Sequence, residues 1–113
     1  MAKGSNVFRG KWRIVSTDTW PSKELDALGP AHITFESGGH GELQLIVITA
    51  SIDYRLESRE GSAVAEFSWA GDDDGSAISG RGWARRTPDG LVGRLFIHEA
   101  DETEFVAKAF KKQ

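Results

Sequence analysis

The sequence predicts an all-β fold, an eight-stranded antiparallel up-and-down β-barrel with one short helix between the first two strands. Three observations carry this reading. Short segments in which apolar and polar residues alternate recur along most of the chain, the period of a half-buried strand. They are separated by "SGGHG", "REGS", "GDDDGS", "TPDG" and "EADE", rich in the Gly, Asp, Pro and Ser that tight turns need. Connections of hairpin length leave little room for crossovers, so the sheet is a meander, and closing it removes both raw edges. A two-sheet sandwich or a half-open barrel is the competing architecture.

The strands are expected at 7–17, 31–37, 42–50, 52–58, 63–70, 77–86, 91–98 and 103–110. Only a bend near Ala50-Ser51 separates the third from the fourth, and the two could equally form one long, kinked strand. The insert "PSKELDALGP" has Pro21 at its start and Gly29-Pro30 as a stop. It suits a helix of about two turns.

A chain of 113 residues is expected to form one domain, 1–113, with a single core that needs no staples. The net charge of −3, with basic residues scattered, gives a nucleic-acid or anionic-membrane partner no electrostatic footprint. Absence of cysteine excludes a catalytic thiol, a thiolate metal site and a disulfide framework. The start "MAKGSNVF" lacks the apolar stretch of a signal peptide, and the longest apolar run, "LIVITA", is too short to span a bilayer. A cytoplasmic location is the resulting expectation.

Alternation also assigns faces, and a slip of one residue would reverse them. Ile52, Tyr54 and Leu56 share one face of the fourth strand, against Asp53, Arg55 and Glu57. With the more apolar face of each strand inward, the lumen holds Trp12, Ile14, Phe35, Tyr54, Phe67, Trp69, Leu95 and Phe105, with Gly and Ala positions beside them. Small residues among large ones either complete a filled interior or leave a cavity. In the second case Trp12, Phe35, Tyr54, Phe67 and Trp69 are the candidate lining for a small apolar or amphipathic ligand.

The outward face of strands six to eight is unusual. It carries Trp83, Phe96, Val106 and Phe110, with Arg81, Arg85 and Arg94 around them. A contiguous apolar patch marks an interface, and aromatic-plus-Arg composition is typical of interface cores. The candidate interface residues are Arg81, Trp83, Arg94, Phe96, Val106 and Phe110. The simplest partner is a second copy in a homodimer or other homo-oligomer. The alternative is an inverted register that turns Trp83 and Phe96 into core.

Chemistry has little to build on. His32, His40 and His98 fall on separate segments without metal-ligand spacing. "GDDDGS" lacks the downstream bidentate Glu of a calcium loop and reads as a solvated hairpin tip. No serine sits in a nucleophile elbow, and "SGRGWA" lacks the third glycine and the helix of a dinucleotide fingerprint. Glu66 and Asp53 could work with Tyr54 or His98 only from a shared face, and alternation separates Tyr54 from the other three. The expectation is a non-enzymatic protein with no catalytic residue, metal or cofactor.

"FRGKWRIVSTDTW" resembles the opening strand of the calycin superfamily, whose lipocalins and fatty-acid-binding proteins begin with Gly-x-Trp; the match here is Gly10-Lys11-Trp12. "PSKELDALGPAHITFE" is similar to the early segment of fatty-acid-binding proteins, so the likeness covers residues 8–36. It implies a calycin-like barrel. Those proteins have more strands, a second helix and a C-terminal Arg-x-Tyr that holds the ligand carboxylate. Here "FVAKAFKK" places Lys108 and Phe110 at the comparable spacing, so the clamp does not carry over and lipid transport is not implied.

Overall fold

Residues 6–109 are described by the computed structural model. The alternating segments form β1 Gly10–Thr17, β2 His32–Glu36, β3 His40–Leu45, β4 Ile48–Arg59, β5 Ser62–Asp73, β6 Ser76–Arg86, β7 Gly90–Ile97 and β8 Glu102–Ala109. Each strand pairs antiparallel with the next, and β8 returns to β1, so the sheet is a closed barrel in sequence order. The closing ladder runs from Trp12↔Ala109 to Thr17↔Phe105, with a register shift between Ile14 and Ser16. A bulge of this kind bends its strand, which suits the place where a sheet must meet its own first edge.

Two local expectations are corrected. The β3–β4 boundary is not at Ala50-Ser51 but at Ile46-Val47, between Leu45↔Ile48. Ile46 takes a left-handed φ of 59°, a conformation that costs a β-branched residue energy. Two contacts offset that cost. The Ile46 amide donates to the Leu25 carbonyl at 2.8 Å, and the side chain packs against the core. The insert, in turn, forms one 3-10 turn, Ser22–Glu24, rather than a two-turn helix. Its polar groups are claimed elsewhere: Asp26 accepts from the Ala31 amide at 2.8 Å and from Arg13 at 2.5 Å. Leu25 is buried, so the insert caps one mouth of the barrel by side-chain docking.

The other mouth is closed by the residues before β1. Phe8 is fully buried, and its carbonyl accepts from the Trp12 indole at 2.7 Å. Arg86 lies over the Trp12 ring at 5.0 Å and donates to the Val7 carbonyl at 2.8 Å. Near this mouth the long β4–β5 hairpin continues beyond its shorter neighbours. Leu56 shares the inner side of β4 with Ile52 and Tyr54, as alternation assigns it, yet is 43% exposed because the strand has run past the barrel there.

A polar clip holds the β1–β8 seam. Asp18, just past β1, accepts from the Thr103 hydroxyl at 2.7 Å and from the Glu104 amide at 2.9 Å. These bonds, the hydroxyl's first, hold its carboxyl below the ordinary aspartate range. A depressed native value means that stability is present above the ordinary range and lost as pH falls through the native value. Asp18→Asn is therefore expected to melt lower than wild type at neutral pH, with a shallower loss on acidification. Thermal melts from pH 7 down to about 2 check this, covering the range in which carboxylates titrate; parallel curves would show that the clip is idle.

Candidate functional site

The inward face is as alternation assigns it. Trp12, Ile14, Phe35, Tyr54, Phe67, Trp69, Leu95 and Phe105 are all buried and belong to one core cluster. The rings meet one another. Phe35 stands edge-on to Phe8, Tyr54 and Phe67, with centroids 6.1, 4.9 and 5.9 Å away, the geometry ring quadrupoles favour. Their polar atoms are satisfied within the chain. Tyr54 donates to the Glu36 carbonyl at 2.6 Å and accepts from Asn6 at 2.8 Å, while the Trp69 indole donates to the Arg81 carbonyl at 3.3 Å.

Glycines in β6 and β7 seat these rings. A Cβ at Gly82 would come within 2.7 Å of Phe67, one at Gly93 within 2.7 Å of Phe105, and one at Gly80 within 2.8 Å of Trp69. The space beside the small residues is thus occupied by aromatic rings from the neighbouring strands. Of the two readings of those residues, the packing follows the filled interior at these positions.

The outer wall of β6–β8 carries the other candidate residues. Strand register arranges them in rows across the sheet: Arg81, Phe96 and Glu102 in one, Trp83, Arg94 and Glu104 in the next, Arg85, Val92 and Val106 in the third. Trp83 and Phe96 are half-buried on this face rather than in the core, and Val106 is exposed. Arg81 stacks over Phe96 at 4.6 Å, and Arg85 lies over Trp83 at 5.6 Å. Arg94 bridges the Glu102 carboxylate at 2.8 Å and that of Glu104 at 3.0 Å. Phe110, the remaining candidate, lies outside the described residues.

One residue of this wall escaped sequence reasoning. Val64 faces outward from β5 opposite Arg85, yet it is 1% exposed and stands outside the core cluster. It shares a groove of about 310 Å³ with Arg59, Trp83 and Arg85, so the outer side chains form a thin second layer over it. An apolar residue at an outward position beside Trp83 was the available signal. A second groove, about 490 Å³, runs past Arg81, Phe96 and His98.

The groups weighed for chemistry stay apart. Glu66 pairs with Arg59 on the outer wall, Tyr54 is spent inside, and His98 is exposed at the end of β7 beside Glu99 at 3.8 Å. Among the described residues no three His, Asp or Glu side chains gather as a metal set.

Fold and surface together define a small closed up-and-down β-barrel with a buried aromatic cluster. No protein-family model matches the chain, and neither the curated proteins nor the solved structures give a significant match.

Proposed function

We propose that this is a non-enzymatic, calycin-like barrel that serves as a protein-interaction module through the outer wall of β6–β8. The observation that carries the reading is the position of Trp83 and Phe96. Both stand in adjacent rows of one wall, partly exposed, among arginines. Interface cores are enriched in these residue types.

If the rings are kept for contact rather than for folding, removing them costs the fold little. The double variant Trp83→Ser, Phe96→Ser is expected to lose only about 2 kcal/mol in equilibrium urea unfolding for both rings together, against about 3–5 kcal/mol for a single truncated core aromatic. A loss in the core range would make the pair structural and overturn the reading.

The rival reading is a small apolar ligand held by Trp12, Phe35, Tyr54, Phe67 and Trp69. It has less support, because these rings pack on one another and on glycines, with their polar atoms bonded internally. Saturable quenching of tryptophan fluorescence by a hydrophobic probe would restore it.

A further inference from the structure

The outer wall has an internal charge asymmetry that specifies its partner. On β6, Arg81 and Arg85 lie over aromatic rings and make no ion pair among the described residues. Two strands away on β8, Glu102 and Glu104 converge on the single guanidinium of Arg94. One flank of the wall therefore has surplus positive charge and the other surplus negative charge, with Phe96 and Arg94 on β7 between them.

A face of this kind is complementary to itself. We infer that it binds a second copy of this chain about a two-fold axis running along β7. Rotation about that line brings the β6 flank of one protomer opposite the β8 flank of the other, at the same level along the strands. The rows then set the pairing. Arg81 meets Glu102 of the partner subunit, Phe96 meets the partner's Phe96 on the axis, and Trp83 lies over the partner's Glu104. Arg94 also falls on the axis, where the two guanidiniums face each other, each neutralised by Glu102 and Glu104 of its own chain. An isologous contact requires such reciprocity, in which each residue's partner is also contacted by its own counterpart. Shape agrees with charge. A barrel wall is convex, and two convex walls touch along a line, which here follows one strand with a flank on each side.

The inference rests on the wall being an interaction surface, and it adds the identity of the partner. A three-strand contact falls at the small end of the interface range, so association is weak and weakens further with salt.

Sedimentation velocity on the full chain, from roughly 1 to roughly 300 µM, brackets the affinities of such small interfaces. Wild type is expected to pass from monomer to dimer over this range. Arg81→Glu alone and Glu102→Arg alone each place like charges across the axis and are expected to stay monomeric. Their equimolar mixture is expected to dimerise again. The new carboxylate at position 81 of one chain meets the new guanidinium at position 102 of the other, and the untouched Glu102 and Arg81 meet across the same axis. Recovery in the mixture also shows that both variants are folded.

A wild type monomeric throughout, single variants that dimerise like wild type, or a mixture that stays monomeric would each overturn the second-copy inference. None of those results touches the interaction-surface reading, which stands or falls on the unfolding cost of Trp83→Ser, Phe96→Ser.

Discussion

Phe35→Ala is expected to destabilise the barrel by about 4 kcal/mol, the range for a buried aromatic truncated to alanine. Phe35 has no exposed surface, and its ring makes three edge-on contacts, with Phe8, Tyr54 and Phe67. Truncation removes the transfer free energy of the ring and leaves a cavity that rigid strands on every side cannot collapse into. A domain of this size has roughly 5–15 kcal/mol in total, so the variant keeps little reserve. Its melting temperature should fall by roughly 15–25 °C. The vacated space is apolar, and such cavities stay dry and take up benzene-sized molecules. Added benzene should therefore raise the melting point of Phe35→Ala and leave that of wild type unchanged. A cost below about 1.5 kcal/mol in urea unfolding would contradict the packing, because well-packed buried rings do not come out so cheaply.

Adding one methyl group at Gly82 or Gly93 is expected to be nearly as damaging. A Cβ at Gly82 meets the Phe67 ring at 2.7 Å and overlaps the Arg94 carbonyl; one at Gly93 meets Phe105 at 2.7 Å and overlaps the Trp83 carbonyl. A ring can swing away, but a carbonyl in a closed ladder cannot move without its strand. Gly82→Ala and Gly93→Ala should each cost about 3 kcal/mol, the upper part of the overpacking range. Gly75→Ala is the control. Its Cβ would meet nothing within 4 Å, and only its φ of +98° opposes substitution. It should cost about 1 kcal/mol from backbone strain alone. Chemical denaturation of the three variants tests the ranking; equal costs would mean that neither the rings nor the facing carbonyls resist the added methyl group at Gly82 and Gly93.

The faces of the strands were legible because a two-residue period survives wherever a sheet divides core from solvent. Trp12, Phe67 and Trp69 inward, with Trp83 and Phe96 outward, follow from that period alone. The meander was legible from connection lengths, and its closure from the two raw edges that an open sheet would leave. Elsewhere local pattern failed because long-range contacts decide the outcome. The β3–β4 turn has no Gly or Asn; its strained Ile46 is held by Leu25, far away in sequence. The insert has helical punctuation, but Asp26 and Leu25 bind the barrel instead. Arg86 over Trp12 and Asn6 on Tyr54 join residues that no spacing rule connects. The charge asymmetry of the outer wall belongs to the same class, since it becomes visible only once the register places Arg81, Phe96 and Glu102 in one row.

The seam between β1 and β8 also governs the order of events during synthesis. Every other ladder joins strands that are consecutive in the chain, and this one joins the first to the last. As the chain emerges from the ribosome, β1 finds β2 early, but its far edge stays open until β8 has been made. Closing so long a loop is entropically expensive, and non-local pairing of this kind slows folding. The nascent meander is therefore a sheet with an unprotected edge until β8 arrives, and the Asp18 clip to Thr103 and Glu104 is among the last polar contacts of the barrel to form.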